Sequence, residues 1–210
     1  MNLDPHRGQP IVRRGPEPPA ARLSAILVHG RNASASDILT IADDLGLADV
    51  AFLAPEASGH TWYPYSFLKP LVDNEPRLTS ALGVLDSIVG ALQRRGVASD
   101  RIAILGFSQG ACLTLEYAAR HARRYAAIAG FSGGLIGPDG TPRSYAGSMD
   151  GTPVFLGCSD VDPHIPLARV HETAGIFRQL NASVDERIYP GMGHLVGADE
   201  IDAARSLLAP

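Results

Sequence analysis

The chain has 210 residues, a formal net charge of −4 at pH 7 and 45% hydrophobic residues. This length is typical of one domain with a substantial core, and the acidic balance argues against a nucleic-acid partner, which generally calls for a basic face. No apolar run reaches the ~18 residues of a membrane span, and residues 1–20 carry charges and prolines where a signal peptide has its apolar segment. We therefore expect a cytoplasmic protein.

The two cysteines give no indication of a metal site. Cys112 and Cys158 lie far apart in the sequence and fit no zinc-ligand spacing. We expect both to be buried free thiols, as free cysteines commonly are.

The order of apolar and amphipathic segments predicts the fold class. The proline-rich residues 1–20 predict an extended N-terminal arm or edge segment, and residues 21–210 predict a single catalytic domain. From Arg22 onwards, short apolar runs alternate with longer amphipathic stretches, which predicts an α/β fold with a mainly parallel central sheet and helices on both faces. The predicted strands are 23–28, 50–54, 101–105, 125–131, 153–157 and 184–189, and the predicted helices are 36–46, 76–95, 109–122, 166–180 and 199–208.

A candidate nucleophile comes from the pattern G-x-S-x-G, which occurs twice, around Ser108 and around Ser132. A nucleophilic serine of this type needs a strand before it and a helix directly after it, because the helix N-terminus favours developing negative charge. Ser108 is followed by good helix formers, whereas Ser132 is followed by GGLIGPDGTP, which cannot be helical. The context therefore favours Ser108.

A serine hydroxyl needs a base, which in strand–turn–helix hydrolases follows it late in the chain. His121 falls at the end of the helix that follows Ser108, His171 lies within a predicted helix, and His164 comes too early to follow the acid as the base. His194 lies in a glycine-rich loop between the last predicted strand and helix, where it can reach the carboxyl edge of the sheet. His194 is therefore the predicted base.

The acid that orients the base is expected after the strand TPVFLG, where Asp160 and Asp162 both occur. Pro163 would fix the backbone after Asp162, and Asp160 could instead cap a turn. The residues alone favour Asp162 only slightly.

Two backbone N–H groups are predicted to stabilise the oxyanion of the reaction. One is that of Gln109, directly after the serine, and the other is that of Arg31, in the loop after the first strand of the domain. His29 is expected to be structural. The Arg31 side chain could contact a polar substrate group or be solvated.

These motifs together resemble the phospholipase/carboxylesterase family of α/β-hydrolases, which includes acyl-protein thioesterases and small bacterial carboxylesterases. The resemblance covers the chain from about Leu23 to Ile201 and rests on HGR at 29–31, GFSQGA at 106–111, D-P-x-I-P at 162–166 and GMGH at 191–194. It implies the α/β-hydrolase fold. No large lid is expected, because no amphipathic insertion in the sequence is large enough to cover the cleft. The resemblance also implies Ser108, Asp162 and His194 as the catalytic triad, with Arg31 and Gln109 as oxyanion donors.

The sequence departs from the thioesterases at two places. The His-Gly-Arg-Asn segment resembles the bacterial carboxylesterase branch more than the thioesterases, and His164 stands where the thioesterases tend to carry an aliphatic residue. Both departures argue against protein depalmitoylation. The aromatic residues of the segment 55–75 lie where this family builds part of its substrate cleft, although any one of them could instead form a small core under a long loop. We expect Trp62, Tyr65, Phe67 and His164 to contact substrate.

The sequence thus predicts a serine carboxylesterase that hydrolyses small to medium esters through an acyl-enzyme, without a metal or an organic cofactor. An acyl-thioesterase or a lysophospholipase would use the same residues, and a non-catalytic binding protein with this fold is a more distant alternative. The expected partner is a small-molecule ester, and the oligomeric state, including a homodimer, stays open.

Overall fold

The computed structural model describes residues 4–209 as one sheet between two layers of helices. Residues 1–3 of the predicted arm and residue 210 of the predicted domain lie outside the described residues. The strands are β1 (Ile11–Arg14), β2 (Leu23–Val28), β3 (Val50–Pro55), β4 (Ile102–Phe107), β5 (Ala127–Phe131), β6 (Pro153–Ser159) and β7 (Ser183–Tyr189). The helices are α1 (Ala35–Ile38), α2 (Thr40–Leu45), α3 (Arg77–Arg94), α4 (Gln109–Arg120), α5 (Leu167–Gln179) and α6 (Ala198–Leu208).

The sheet has the order β1-β3-β2-β4-β5-β6-β7. All neighbours from β3 to β7 run parallel, and only β1 pairs antiparallel, along β3. The predicted mainly parallel sheet is confirmed. Because the carboxyl ends of parallel strands meet at one edge, the loops after β2, β4 and β6 converge there.

Two apolar cores cover the two faces of the sheet. On one face, α3, α4 and α5 pack against β-strand side chains such as Ile26 and Ile104. On the other face, α1, α2 and α6 pack against Leu27, Leu105 and their neighbours. Strands buried on both faces are uniformly apolar, which is why β2 and β4 were predicted closely from their composition.

One predicted helix differs from the structure, and the predicted arm contains a strand. The predicted helix 36–46 is divided at Leu39 into α1 and α2. The Thr40 hydroxyl donates to the Asp37 carbonyl at 2.7 Å, and this carbonyl would accept from the Ile41 N–H in a continuous helix. Within the predicted arm, residues 11–14 form the edge strand β1.

The part of the chain before β1 is also anchored. The His6 ring is buried, donates from Nε2 to the Trp62 carbonyl at 2.8 Å and accepts from the Ser58 N–H at 3.1 Å. The N-terminal segment therefore supports the loop after β3. Within residues 4–209, no helix is long and apolar enough to cross a bilayer.

Candidate active site

Ser108 lies at a sharp turn between β4 and α4, with φ 55° and ψ −119°. A side chain rarely adopts this backbone conformation, and it persists only where the surroundings enforce it. Glycines on both sides permit the turn: a Cβ on Gly106 would lie 2.4 Å from the Gly110 carbonyl oxygen, and a Cβ on Gly110 would lie 2.1 Å from that of Val28. The Ser108 hydroxyl consequently projects at the carboxyl edge of the sheet, where α4 begins.

His194 reaches Ser108 from the loop between β7 and α6. Its Nε2 lies 2.8 Å from the Ser108 Oγ. Two residues at the end of β6 hold this loop. Asp160, directly after the strand, accepts at Oδ1 from the Gly191 N–H at 2.8 Å, and Ser159, its last residue, accepts at Oγ from the Gly193 N–H at 3.0 Å. The glycine segment directly before His194 is therefore fixed against the end of β6.

Asp162 is the carboxylate that the structure brings to His194. Its Oδ2 lies 2.7 Å from His194 Nδ1, and its Oδ1 accepts from the N–H groups of His164 at 2.8 Å and Ile165 at 3.0 Å. Burial opposes ionisation of Asp162, but the hydrogen bonds from His194 and the two backbone donors outweigh it and lower the pKa of the carboxyl. Asp160 contacts the glycine loop instead, so the geometry separates the two aspartates that the residues alone left open.

Cys158 adds a contact that the sequence analysis did not predict. Its Sγ lies 3.8 Å from Asp162 Oδ2, the oxygen that also faces His194. A thiol is a weak donor, and its position behind the carboxylate follows from its place in β6. No pattern in the sequence marks this contact.

Ser132, the serine of the second G-x-S-x-G pattern, lies directly after β5. It also has a positive φ of 52°, and its N–H donates to the Gly157 carbonyl at 2.7 Å. Its hydroxyl is buried without a hydrogen-bond partner among the described residues, and no helix follows it. The structure thus gives a histidine to Ser108 and none to Ser132.

Two of the three histidines that the sequence analysis set aside as bases are engaged elsewhere. His121 stacks on Tyr117 with ring centroids 4.4 Å apart, and His171 contacts Glu186 at 2.6 Å on an exposed face. Neither contributes to the cluster around Ser108.

The backbone N–H groups of Arg31 and Gln109 are the predicted oxyanion donors. Both residues line the cavity next to Ser108. Within residues 4–209, neither N–H donates to a protein acceptor. Gly30 allows the close approach of the two loops, since a Cβ there would lie 3.4 Å from the Ser108 Cβ.

His29 supports this loop from below, as expected for a structural residue. It is buried, its Nδ1 lies 2.7 Å from the Gly30 carbonyl oxygen, and its Nε2 accepts from the Ala57 N–H at 3.1 Å. Burial lowers the pKa of His29, so the neutral ring donates from Nδ1 and accepts at Nε2.

The side chains of Arg31 and Gln109 both fasten the aromatic segment that forms one cavity wall. Arg31 donates to the Pro64 carbonyl at 2.7 Å and to the Tyr65 carbonyl at 2.6 Å. Gln109 accepts from the Trp62 N–H at 2.9 Å and donates to the Tyr63 carbonyl at 2.8 Å. The two predicted oxyanion residues therefore also position the wall opposite the serine.

A cavity of about 540 Å³ opens at Ser108 and His194. Three of the four residues expected to contact substrate line it: Tyr65, Phe67 and His164. Further lining residues that the sequence analysis did not single out as contacts are Asn32, Ala33, Tyr63, Pro64, Ser66, Phe107, Cys112 and Ile165.

Trp62 does not reach this cavity, which corrects the expectation that it contacts substrate. Its ring is fully buried, packs beside His6 and His29, and donates from Nε1 to the His29 carbonyl at 2.9 Å. An indole N–H that finds a buried acceptor holds the ring inside the loop core. The neighbouring Tyr63 lines the cavity in its place.

The chain is similar to known proteins in both sequence and structure. Residues 25–209 match the sequence profile of the phospholipase/carboxylesterase family. The chain belongs to this family. Its sheet and helices have the α/β-hydrolase fold of this family.

Individual relatives give the scale of the similarity. A phospholipase/carboxylesterase structure from Dyadobacter fermentans is 39% identical, with a TM-score of 0.93 over 96% of this chain and 97% of that one. Acyl-protein thioesterase 1 of Schizosaccharomyces pombe is 28% identical over 68% of this chain and 64% of its own length. Acyl-protein thioesterase 1 of Yarrowia lipolytica is 25% identical over 91% and 92%. The chain thus spans less than two thirds of the S. pombe relative's length.

Proposed function

We propose that this protein is a serine carboxylesterase that hydrolyses small to medium carboxylic esters through an acyl-enzyme intermediate. The observation that carries the proposal is the continuous line of hydrogen bonds from Ser108 Oγ through His194 to Asp162. In this arrangement, the histidine can take a proton from the serine, and the carboxylate stabilises the imidazolium that forms.

In the acylation step, His194 Nε2 accepts the proton of the Ser108 hydroxyl as Oγ attacks the ester carbonyl carbon. The carbonyl oxygen becomes an oxyanion and accepts from the N–H groups of Arg31 and Gln109, which have no protein acceptor among residues 4–209. His194 then protonates the leaving alkoxide, the C–O bond breaks and the alcohol departs.

In the deacylation step, a water molecule takes the place of the alcohol. His194 accepts a proton from the water, the hydroxyl attacks the acyl carbon and the second oxyanion uses the same two N–H groups. Collapse of this intermediate returns the proton to Ser108 Oγ and releases the acid. Asp162 stabilises the imidazolium in both steps.

Combined substitutions test whether Ser108 and His194 act as a unit. Ser108→Ala and His194→Ala should each lower kcat for p-nitrophenyl butyrate by about 10⁴-fold or more, and the double variant should lose no more than either single variant. Additive losses would contradict a shared step. Intact folding is checked by the thermal unfolding midpoint of each variant.

A second candidate is acyl-thioester hydrolysis by the same residues. It is favoured by the similarity to proteins named acyl-protein thioesterase 1, and the mechanism differs only in the leaving atom. Oxygen and sulfur esters with the same acyl chain separate the two. A kcat/KM that is higher for butyryl esters than for butyryl thioesters of equally acidic leaving groups supports the carboxylesterase, and the reverse order supports the thioesterase.

A further inference from the structure

The cavity at Ser108 has an unequal distribution of charge. Among the described residues that line it, Arg31 carries a full positive charge, and His164 and His194 contribute imidazoles. No aspartate or glutamate is among these lining residues. Asp162 lies behind His194, with its oxygens taken by His194 and two backbone donors. The lining thus offers cationic and donor groups without a carboxylate to neutralise them.

The Arg31 guanidinium is held in place by groups that do not neutralise its positive charge. Its two anchors, Pro64 and Tyr65, are backbone carbonyls, which bear no formal charge. Within the described part of the chain, Arg31 forms no ion pair, whereas Arg187 on the exposed face of β7 is paired with Asp185 and Asp199. A guanidinium has five N–H donors. The two anchoring bonds use two of these donors, and among residues 4–209 the other three have no protein acceptor.

His164 adds a second polar group to the cavity. Its backbone N–H is bound to Asp162 Oδ1 at 2.8 Å, and its ring stands edge-on to the His194 ring with centroids 4.8 Å apart. Within residues 4–209, the His164 ring makes no hydrogen bond. Its ring N–H is consequently available to a ligand in the cavity.

We propose that the substrates are carboxylic esters that carry an additional anionic group, a carboxylate or a phosphate, which Arg31 binds with His164 as a second donor. This proposal rests on the proposed esterase function and adds the substrate class. A fixed guanidinium favours such groups because its N–H fork matches the oxygens of a carboxylate or phosphate. Two walls position the anion: Arg31 on the loop after β2 and His164 on the loop after β6.

Two matched substrate pairs test the proposal and locate the anion. In the first pair, methyl hydrogen glutarate and its neutral amide analogue, methyl 4-carbamoylbutanoate, place the charge in the acyl part. In the second, butyryl glycerol phosphate and butyryl glycerol place it in the alcohol part. We expect kcat/KM to favour the anionic member of one pair by about tenfold or more, consistent with a charge-assisted hydrogen bond. The pair that shows the preference identifies the source of the anion.

Substitution of Arg31 tests the residue. Arg31→Gln keeps the backbone N–H but removes the charge, and it should reduce the preference to about twofold or less, because the anion loses its charge-assisted donors. Arg13→Gln is the matched control, since Arg13 is exposed on β1 and does not line the cavity. The control should keep the preference. Equal rates within both pairs in the natural protein, or a preference that survives Arg31→Gln, would overturn the proposal.

Binding without turnover separates this proposal from the esterase function. Glutarate should raise the thermal unfolding midpoint more than neutral glutaramide does, and this difference should disappear in Arg31→Gln and persist in Arg13→Gln. Anion binding without hydrolysis of any ester would contradict the esterase function alone. Hydrolysis of neutral esters without a glutarate effect and without an anionic preference would contradict the substrate class alone.

Discussion

His194 Nδ1 lies 2.7 Å from Asp162 Oδ2, while the other oxygen of Asp162 is occupied by two backbone N–H groups. This division of the two oxygens fixes the direction of the carboxylate. Since the same hydrogen bonds lower the pKa of Asp162, the carboxylate stays ionised at neutral pH and holds the proton of His194 on Nδ1. Nε2 is then free to accept from Ser108.

Asp162→Asn replaces the carboxylate with an amide of nearly the same shape. The variant should therefore no longer hold the proton of His194 on Nδ1. We expect kcat for p-nitrophenyl butyrate to fall by about 10⁴-fold, as amide replacement does in comparable triads. Asp160→Asn is the matched control, because an asparagine keeps the oxygen that accepts from the Gly191 N–H. A larger loss in Asp160→Asn than in Asp162→Asn would reverse the assignment of the acid.

The close approach at the serine turn predicts opposite effects of one substitution at two glycines. Gly110→Ala would place a Cβ 2.1 Å from the Val28 carbonyl oxygen, so we expect the free energy of unfolding to fall by more than about 2 kcal/mol, with loss of activity. Gly83→Ala in α3 meets no atom within 4 Å and should raise stability by up to about 1 kcal/mol, because alanine favours the helix. Urea unfolding of both variants measures the difference, and a neutral Gly110→Ala would contradict the tight packing.

Glu200 predicts a dependence of stability on pH. It is buried at the start of α6, where Oε2 accepts from the Gly197 N–H at 2.8 Å and Oε1 has no partner among the described residues. Burial raises the pKa of Glu200 to about 7, against about 4.3 in an unfolded chain. Between these two values the folded state binds more protons than the unfolded state. The contribution of Glu200 to stability therefore falls as the pH rises through this window and levels off above it.

Glu200→Gln removes this titration and keeps an oxygen for the Gly197 N–H. We expect the variant to match the natural protein closely near pH 4 and to be more stable by about 2–4 kcal/mol at pH 8. Thermal unfolding across this range gives the difference at each pH. A difference that does not grow between pH 5 and pH 8 would contradict a buried carboxyl with a raised pKa.

Both cysteines should resist alkylation in the folded protein. Burial raises the pKa of the Cys112 thiol and of the Cys158 thiol to about 12, and the thiolate is the reactive form. At pH 8, roughly one thiol in 10⁴ is then ionised, in addition to being shielded from the reagent. We expect no iodoacetamide adduct by mass spectrometry until urea is added, and two adducts afterwards. Rapid modification of the folded protein would show that one thiol is accessible.

The sequence predicted the parallel sheet well because its strands are buried on both faces and consequently read as continuous apolar runs. It did not predict the division of the helix at Leu39. There the Thr40 hydroxyl donates to the Asp37 carbonyl, which a continuous helix would use for a backbone N–H. β1 was predicted only as an extended arm or edge segment, since its four exposed residues give no burial pattern.

At the site, the order of motifs along the chain predicted Ser108, Asp162 and His194, which hydrogen bonds join in the structure. Side-chain direction was less predictable. Trp62 and Tyr63 are adjacent and both aromatic, yet only Tyr63 lines the cavity, because the Trp62 N–H finds the buried His29 carbonyl. The contact of Arg31 with Pro64 and Tyr65 joins residues distant in sequence, and no local pattern reports such a contact. The cytoplasmic location and the homodimer stay predictions.

The measurement that tests the central claim most directly is the site of covalent labelling by a fluorophosphonate, compared between Ser108→Ala and Ser132→Ala. Both serines stand in a G-x-S-x-G pattern with a positive φ, but only Ser108 has a histidine at 2.8 Å. We predict one adduct, mapped to Ser108, in the natural protein and in Ser132→Ala, and none in Ser108→Ala. An adduct that persists in folded Ser108→Ala, or one that disappears in folded Ser132→Ala, would contradict the account.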